Sequence, residues 1–327
     1  ALDGVIQRAT AKHPTERYPS AAALAADFRR ALQLEVELPE VPEEDIYNPY
    51  KGLRAFQEAD SEDFFGREAL TGQLIAHLAA PDKAGRFLAV VGPSGSGKSS
   101  VVKAGLLPAL RKGALPASDQ WFMLEMHPGS QPFQELELAL LAITSDYSLD
   151  LAGLLSQGLL KAVRAILPSE QDTLLLVIDQ FEELFVSVQD EDLRERFLDC
   201  LLEAVTDPHS QLRLVLTLRA DFYDRPLMYP RFGRLVEEHT AVVLPLTPEE
   251  LQLAIRQPAE RVGAVLEKGL VEAITADVED QPGSLPLLQY ALTELFERRE
   301  GRLLTLQAYQ SIGGVLGALG RRAEGVY

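Results

Sequence analysis

Cysteine is almost missing from this sequence: Cys200 is the single one among 327 residues. An intrachain disulfide is therefore excluded, which is typical of a protein that works in a reducing compartment. Cys200 lies within the apolar repeat of Leu193, Phe197 and Leu201, and this spacing predicts a helix. We expect its thiol to be buried and structural.

Long apolar runs are lacking as well. No stretch approaches the roughly 18 apolar residues that a membrane-spanning helix needs, and no secretory signal is visible. We therefore expect a cytoplasmic protein without a membrane contact. Because the first residue is alanine and not methionine, we also expect the sequence to be a piece of a longer protein.

Basic residues are in the minority: 31 Lys and Arg face 49 Asp and Glu, which gives a formal net charge of −18. Such a field repels nucleic acid unless a local basic patch overrides it. The basic residues are scattered, so we expect no nucleic-acid partner. The five histidines show no metal-ligand spacing, and no zinc-type site is predicted: they are His13, His77, His127, His209 and His239.

The distribution of proline and acid divides the chain. Residues 35–45 contain two prolines and six acids, which is typical of an extended, solvated linker, and we place the linker at 35–47. Residues 1–34 before it predict short helices. After it, short apolar runs alternate with helical stretches, which predicts a parallel α/β sheet covered by helices on both faces. The runs are 87–91, 121–126, 173–178, 213–218 and 241–246. From Thr247 onward the strand signals stop and helices dominate.

The strongest motif follows the first of these strands and precedes a helix. It is the phosphate-binding P-loop pattern Gly92-Pro93-Ser94-Gly95-Ser96-Gly97-Lys98-Ser99, continued by Ser100. Its glycines let backbone N–H groups approach the phosphates, and the helix that follows directs its positive end to the same point. Lys98 would lie on the β- and γ-phosphates, and Ser99 would bind Mg²⁺.

A second acidic site is predicted where another apolar run ends. Residues 174–178 lead into Asp179, and a carboxylate there would bind Mg²⁺ directly or through water. Glu182 is our candidate for the base that deprotonates the attacking water, with Glu183 as the alternative. Because run 121–126 falls between these two strands in sequence, we expect it to be inserted between them in the sheet, as in P-loop enzymes that use a catalytic glutamate (the ASCE type).

Two further segments are weaker candidates. Arg219 ends the run at 213–218, where its guanidinium would contact the γ-phosphate, although a pair with Asp221 or Asp224 is the alternative. The segment from Gly283 to Pro286 precedes an apolar helix, and alone it indicates only a turn and a helix start.

Together these pieces resemble the STAND class of signal-transduction NTPases, specifically the bacterial group often fused to WD repeats. The resemblance covers about residues 48–327 and depends on five motifs in the expected order. They are Asn48-Pro49-Tyr50-Lys51-Gly52-Leu53 with Phe64-Phe65-Gly66-Arg67-Glu68, the P-loop, Asp179-Gln180-Phe181-Glu182-Glu183-Leu184-Phe185, Thr217-Leu218-Arg219-Ala220-Asp221-Phe222, and Gly283 to Pro286.

The resemblance implies an ATP- and ADP-binding switch that hydrolyses ATP slowly with Mg²⁺, closed with ADP and open with ATP. It implies a core at 48–246, a helical lid at 247–300 and the start of a winged-helix segment at 301–327. Phe65, Gly66 and Arg67 would wrap the adenine and Pro286 would touch it. Protein partners would act through sensor repeats that are absent here, and ATP would promote self-assembly. The expectation that the chain binds ATP and not GTP depends on the resemblance alone.

Residues 1–34 resemble something different, the last helices of a serine/threonine protein kinase domain. The similarity lies in 9–18, where Arg17 would be the ion-pairing arginine of that tail. Every catalytic kinase motif is absent. The resemblance therefore implies a larger protein in which a kinase is fused to the switch, and no kinase chemistry in this segment.

Three other functions are compatible with the core motifs. A mechanical or DNA-loading ATPase would need a basic groove, which the acidic composition opposes. A small-molecule kinase would transfer the phosphoryl group to an acceptor other than water. A scaffold that uses nucleotide only as a structural part would be insensitive to Glu182→Gln.

Overall fold

Five strands form one parallel sheet, in the order β2-β3-β4-β1-β5. They are β1 (Phe87–Gly92), β2 (Phe122–Met126), β3 (Leu174–Ile178), β4 (Leu212–Arg219) and β5 (Thr240–Val242). The sequence predicted all five to within a few residues. In β1 and β3 every residue is buried, as expected for central strands covered on both faces.

One prediction about this sheet was wrong. The strand between β1 and β3 is β4, whereas β2 lies at the edge beside β3. The order of strands along the chain does not determine their order in a parallel sheet, because each crossover helix can return the chain to either side. A usable signal was Glu125, an exposed charge inside β2, since edge strands tolerate polar residues that central strands exclude. The arrangement with an additional strand between β1 and β3 is still present.

The computed structural model describes residues 2–11, 17, 18, 24, 27, 46–81, 84–144, 148–279 and 283–318. The chain divides into two compact units, 1–45 and 46–327. In the first unit, α1 is Leu2–Ala9, and exposed Arg17 donates from Nε to the carbonyl of Ala11 at 2.8 Å. The acidic linker and most of the second helix expected in 1–34 lie outside the described residues.

Further helices lie in the second unit. A helical segment, α3, follows the P-loop and has three parts: Lys98–Ser100, π-helical Val101–Leu106, and Leu107–Arg111. The others are α2 (Glu68–Leu78), α4 (Pro132–Leu141), α5 (Leu151–Ser156), α6 (Leu159–Ile166), α7 (Glu183–Ser187), α8 (Glu191–Thr206), α9 (Asp224–Leu227), α10 (Pro230–Glu238), α11 (Pro248–Arg261), α12 (Leu270–Glu279), α13 (Leu285–Glu297) and α14 (Leu306–Ile312). Of the helices in the described residues, none is long and apolar enough to cross a membrane.

The sheet is the middle of three layers. One face packs on α4, α5, α6, α8 and α10, with Phe87, Phe181 and Phe232 fully buried there. The other face packs on α2 and α3. Cys200 is only half-buried on α8, and burial raises the pKa of its thiol to about 11, so it is protonated and unreactive at neutral pH.

Helices α11 to α13, here called the lid, share a second apolar core with α14. Tyr50, from the segment before the sheet, is buried in that core and donates from its hydroxyl to the carbonyl of Ile255 at 2.6 Å. Two short parallel strands, β6 (Val265–Leu266) and β7 (Leu303–Leu304), also pair in this region. The sequence predicted only helices here, because strands of two residues are too short to show a period.

Candidate nucleotide-binding site

The P-loop connects β1 to α3, and its backbone is bent as a phosphate cradle requires. Gly95 and Gly97 have φ values of 72° and 89°, a left-handed conformation that glycine adopts without strain. A side chain at this position is also excluded, because a Cβ on Gly95 would lie 2.7 Å from the carbonyl oxygen of Gly283. The loop therefore bends over the start of α3, where free backbone N–H groups can bind an anion.

Lys98 lies inside this loop. Its Nζ donates to the carbonyl oxygens of Gly92 and Pro93, at 2.9 and 2.8 Å. Burial lowers the pKa of Lys98 below its usual value, and the charges of Glu182 and Asp179 oppose that shift. The arrangement places an ammonium group at the centre of the loop.

Asp179 follows β3 and is almost fully buried. Its Oδ1 accepts hydrogen bonds from the hydroxyls of Ser99 at 2.7 Å and Thr217 at 2.6 Å. The backbone N–H of Gln180 donates to the same oxygen at 3.1 Å, and Gln180 has a φ of 55°, which is uncommon for a residue with a side chain. Burial would raise the pKa of Asp179, but these hydrogen bonds and the charge of Lys103 lower it overall.

The fit to Mg²⁺ can be judged from these side chains. Ser99 and Asp179 place two hard oxygen ligands side by side, which is the donor type that Mg²⁺ prefers. Over the described part of the chain, no group of three or more His, Cys, Asp or Glu side chains could enclose a metal ion. A Mg²⁺ ion held by Ser99 and Asp179 would take its remaining ligands from water and phosphate.

Lys103 is a residue of this site that the sequence reasoning missed. Its Nζ lies 3.1 Å from Oδ2 of Asp179 and 3.1 Å from Oε2 of Glu125 on β2. A signal existed, because Lys103 is the one charged residue in the apolar stretch Val101–Leu106, the inward-facing part of α3. Thr217 was quoted within a motif but assigned no role.

The two candidate bases point to different places. Glu182 accepts a hydrogen bond from the backbone N–H of Arg219 at 3.2 Å, and its charge acts on Lys98. Glu183 accepts instead from the backbone N–H of Gly129 at 3.3 Å, in the turn after β2. Of the two, Glu182 lies on the side of the P-loop.

Arg219 ends β4 beside this site, but its guanidinium is paired within its own segment. Nε and Nη2 donate to the two oxygens of Asp221, at 3.0 and 2.7 Å. This is the alternative pairing that the sequence allowed. The pair is on the surface, with the Arg219 side chain 39% exposed, so a modest free energy separates it from other rotamers.

The segment that precedes α2, residues 46–67, is here called the strap. Arg67 at its end is buried and donates from Nη2 to the carbonyl of Ser96 and from Nη1 to that of Leu244, both at 3.0 Å. Gly66 packs so closely on α11 that a Cβ would overlap the carbonyl of Glu250. These contacts fix the strap to both the P-loop and the lid.

A cavity of about 220 Å³ opens beside the P-loop. Among its lining residues are eight of the predicted binding positions: Phe65, Arg67, Gly95, Gly97, Lys98, Ser99, Ser100 and Pro286. The strap adds an apolar wall with Leu53, Phe56 and Phe64, and the lid adds Leu285 and Leu288. The cavity thus has a polar end at the P-loop and an apolar end between strap and lid, as the phosphates and base of a nucleotide require. The other P-loop positions, Gly92, Pro93, Ser94 and Ser96, and Gly66 of the strap, are not among the lining residues.

A parallel sheet with an additional strand between β1 and β3, a P-loop after β1 and an acid after β3 define a P-loop NTPase, a nucleotide-binding class. The sequence model of the family described as Novel STAND NTPase 1 (nSTAND1) matches residues 49–327. The chain therefore belongs to this family. No curated protein matches the sequence.

Solved structures with the same fold include two ORC structures with DNA and a Walker-type ATPase. The chain is 18% identical to the Drosophila ORC bound to DNA, with a TM-score of 0.53, over 88% of this chain and 72% of that one. It is 14% identical to a Walker-type ATPase of Pyrococcus abyssi, with a TM-score of 0.52, over 83% of this chain and 74% of that one. It is 19% identical to the ORC1 protein of Aeropyrum pernix in complex with DNA, with a TM-score of 0.51, over 76% of this chain and 65% of that one. The chain thus spans less than two thirds of that protein. At these identities the similarity concerns the fold.

Proposed function

We propose that this chain is a nucleotide-dependent switch in signal transduction, which binds ADP in a closed state and ATP in an open state and hydrolyses ATP slowly. The observation that carries the proposal is the wall shared by P-loop and lid. A Cβ on Gly95 would lie 2.7 Å from the Gly283 carbonyl and 3.3 Å from Cδ of Pro286. A ligand in the adjoining cavity touches both parts, so its affinity can depend on their arrangement.

The proposed roles are those that the motifs and the family resemblance assign. The P-loop backbone and Lys98 bind the phosphates, and Phe65, Gly66, Arg67 and Pro286 surround the base. Ser99 and Asp179 hold Mg²⁺, which would supply electrostatic stabilisation of the phosphoryl oxygens. Glu182 accepts the proton of the attacking water, and Arg219 leaves Asp221 to contact the γ-phosphate. Glu183 is the less suitable base because its hydrogen bond joins it to Gly129 in the turn after β2, whereas the charge of Glu182 acts on Lys98 in the P-loop.

The larger context belongs to the same proposal. We infer that residues 1–34 are the end of a serine/threonine kinase domain and that this chain is part of a longer signalling protein with sensor repeats. Residues 247–300 would be the lid and 301–327 the start of a winged helix. The fold is shared with proteins solved on DNA, but a net charge of −18 opposes DNA as a partner. Protein partners and self-assembly are what the family resemblance implies.

The test is to purify the chain without added nucleotide, denature it and identify what is released by ion-exchange chromatography. We expect about one ADP per chain, lost in Lys98→Ala because the phosphates lose their buried cation. Lys112→Ala, an exposed lysine just beyond α3, is the matched control and should retain the ADP. A wild-type chain that releases nothing and also fails to bind added Mg–ATP would contradict the proposal.

Turnover is tested on the same samples. Glu182→Gln should lower ATP hydrolysis by about 100-fold, because the attacking water loses its base, and should leave ATP bound. Glu183→Gln should hydrolyse nearly as fast as the wild type. Equal hydrolysis by the wild type and Glu182→Gln would point to a scaffold that uses nucleotide without turnover.

A further inference from the structure

Lys103 is a buried cation that the proposed function does not use. It lies in the π-helical stretch Val101–Leu106 of α3, and only 8% of its surface is exposed. Lysine is almost never buried unless it is paired, because its charge loses its hydration. π-Helical turns are rare and frequently occur at functional sites. Both observations single out this position.

The partners of Lys103 are two carboxylates, one of them the proposed metal ligand Asp179. Its Nζ bridges Oδ2 of Asp179 and Oε2 of Glu125, each at 3.1 Å. Burial lowers the pKa of Lys103, but the two carboxylates outweigh it and the pKa is raised overall, so the side chain stays charged at neutral pH. Lys103 therefore offsets one of the two negative charges at this point.

Both oxygens of Asp179 are committed by this arrangement. Oδ1 accepts from Ser99, Thr217 and the Gln180 backbone, and Oδ2 is paired with Lys103. A divalent cation beside Asp179 would meet a fixed positive charge in a poorly hydrated environment, where Coulomb repulsion is much stronger than in water. The triphosphate of a nucleotide would add the negative charge that offsets this repulsion.

We propose that Lys103 is an internal counter-cation of Asp179, which prevents the site from binding free Mg²⁺ and makes the metal enter only together with a nucleotide. Glu125 orients the ammonium from the edge strand β2 and keeps it in the site. Lys103 is thus a positioning residue that acts through Asp179. The inference rests on the proposed function in one respect, the assignment of Asp179 as the metal carboxylate.

The test measures binding of Mn²⁺ alone to nucleotide-free protein, by the electron paramagnetic resonance signal of the free ion. The wild type should bind Mn²⁺ weakly. Lys103→Gln keeps a hydrogen-bond donor and removes the charge, and it should bind Mn²⁺ about tenfold more tightly or better. Lys103→Arg keeps the charge and should behave as the wild type. Asp179→Asn added to Lys103→Gln should abolish the gain, which places it at this site.

A purely structural Lys103 gives a different pattern. If the role of Lys103 is only structural, Lys103→Gln should have a lower melting temperature and an unchanged Mn²⁺ affinity. That result in a folded variant overturns the inference. Lys103→Met is the second variant if Lys103→Gln does not fold. Tight Mn²⁺ binding by the nucleotide-free wild type also overturns it. Failure of the proposed function is seen separately, as a wild type that binds no nucleotide.

Discussion

The two ends of the cavity differ in the kind of side chain that surrounds them. At the P-loop end, the lining includes Lys98, Ser99 and Ser100. Ser99 bonds to the buried Asp179, which also bonds to Thr217 and Lys103. At the strap and lid end, the lining is mostly apolar and includes Phe56, Phe64, Leu285 and Leu288. The P-loop end can bind a ligand through hydrogen bonds and charge, and the strap and lid end can bind it through apolar packing.

The difference has a consequence for how each end could be altered. The P-loop end is preorganised by short hydrogen bonds to a buried carboxylate, so single substitutions there should remove function with little rearrangement. The strap and lid end depends on packing and on one buried charge cluster around Asp63. Substitutions there should mainly change how firmly the lid is attached.

The largest expected effect is at the junction of the two ends. Gly95→Ala should lower ADP affinity by about 100-fold or more, because its Cβ would meet the Gly283 carbonyl at 2.7 Å and separate P-loop from lid. Isothermal titration calorimetry on refolded, nucleotide-free protein measures this. Gly113→Ala is the matched control, since Gly113 has a similar φ of 80° and nothing lies within 4 Å of its Cβ. Equal affinities for the two variants would show that the junction is not tightly packed.

Asp63→Asn tests the strap end. Asp63 accepts from Lys51 Nζ at 2.7 Å, Arg261 Nη1 at 2.8 Å and the Tyr47 hydroxyl at 3.0 Å, and its side chain is 5% exposed. Removing its charge should lower the free energy of unfolding by about 2–3 kcal/mol, less than the loss of an isolated buried pair because Lys51 and Arg261 keep other acidic partners.

Urea denaturation followed by circular dichroism measures this change. The control is Asp224→Asn, since Asp224 forms an exposed pair with Arg225 at 3.9 Å and should contribute under about 0.5 kcal/mol. Similar losses in the two variants would contradict a structural role for the Asp63 cluster.

The same contrast explains what the sequence could predict. The P-loop and the runs at 87–91 and 173–178 were recognisable because glycine spacing and continuous apolarity are local patterns. The bond between Asp63 and Arg261 joins residues 198 apart, and no local pattern reports such a contact. The edge position of β2 depends likewise on the crossover path. Lys103 was visible as a charge in an apolar stretch, but its partners Asp179 and Glu125 are brought to it by the sheet.

The smallest expected effect concerns Asp60, also in the strap. Burial raises the pKa of Asp60, but the Arg54 guanidinium, with two hydrogen bonds at 2.6 and 3.1 Å, and the Gln57 N–H lower it to about 2. Because the folded pKa lies below the ordinary 3.8, Asp60 contributes stability above about pH 4 and loses it as the pH falls towards about 2. Asp60→Asn should therefore cost about 1 kcal/mol at pH 7, after allowance for the exposed Arg54.

That cost should be the same at pH 5 and smaller at pH 3, measured by urea denaturation at the three pH values. The control for removing a surface carboxylate is Asp119→Asn. Asp119 is exposed and follows α3 in the sequence, whereas Asp60 precedes it. A cost for Asp60→Asn that stays constant down to pH 3 would mean that the side chain acts through its shape and hydrogen bonds. At Asp60 the strap would then be held without help from charge, and the contrast with the P-loop end would be sharper than the ion pair with Arg54 suggests.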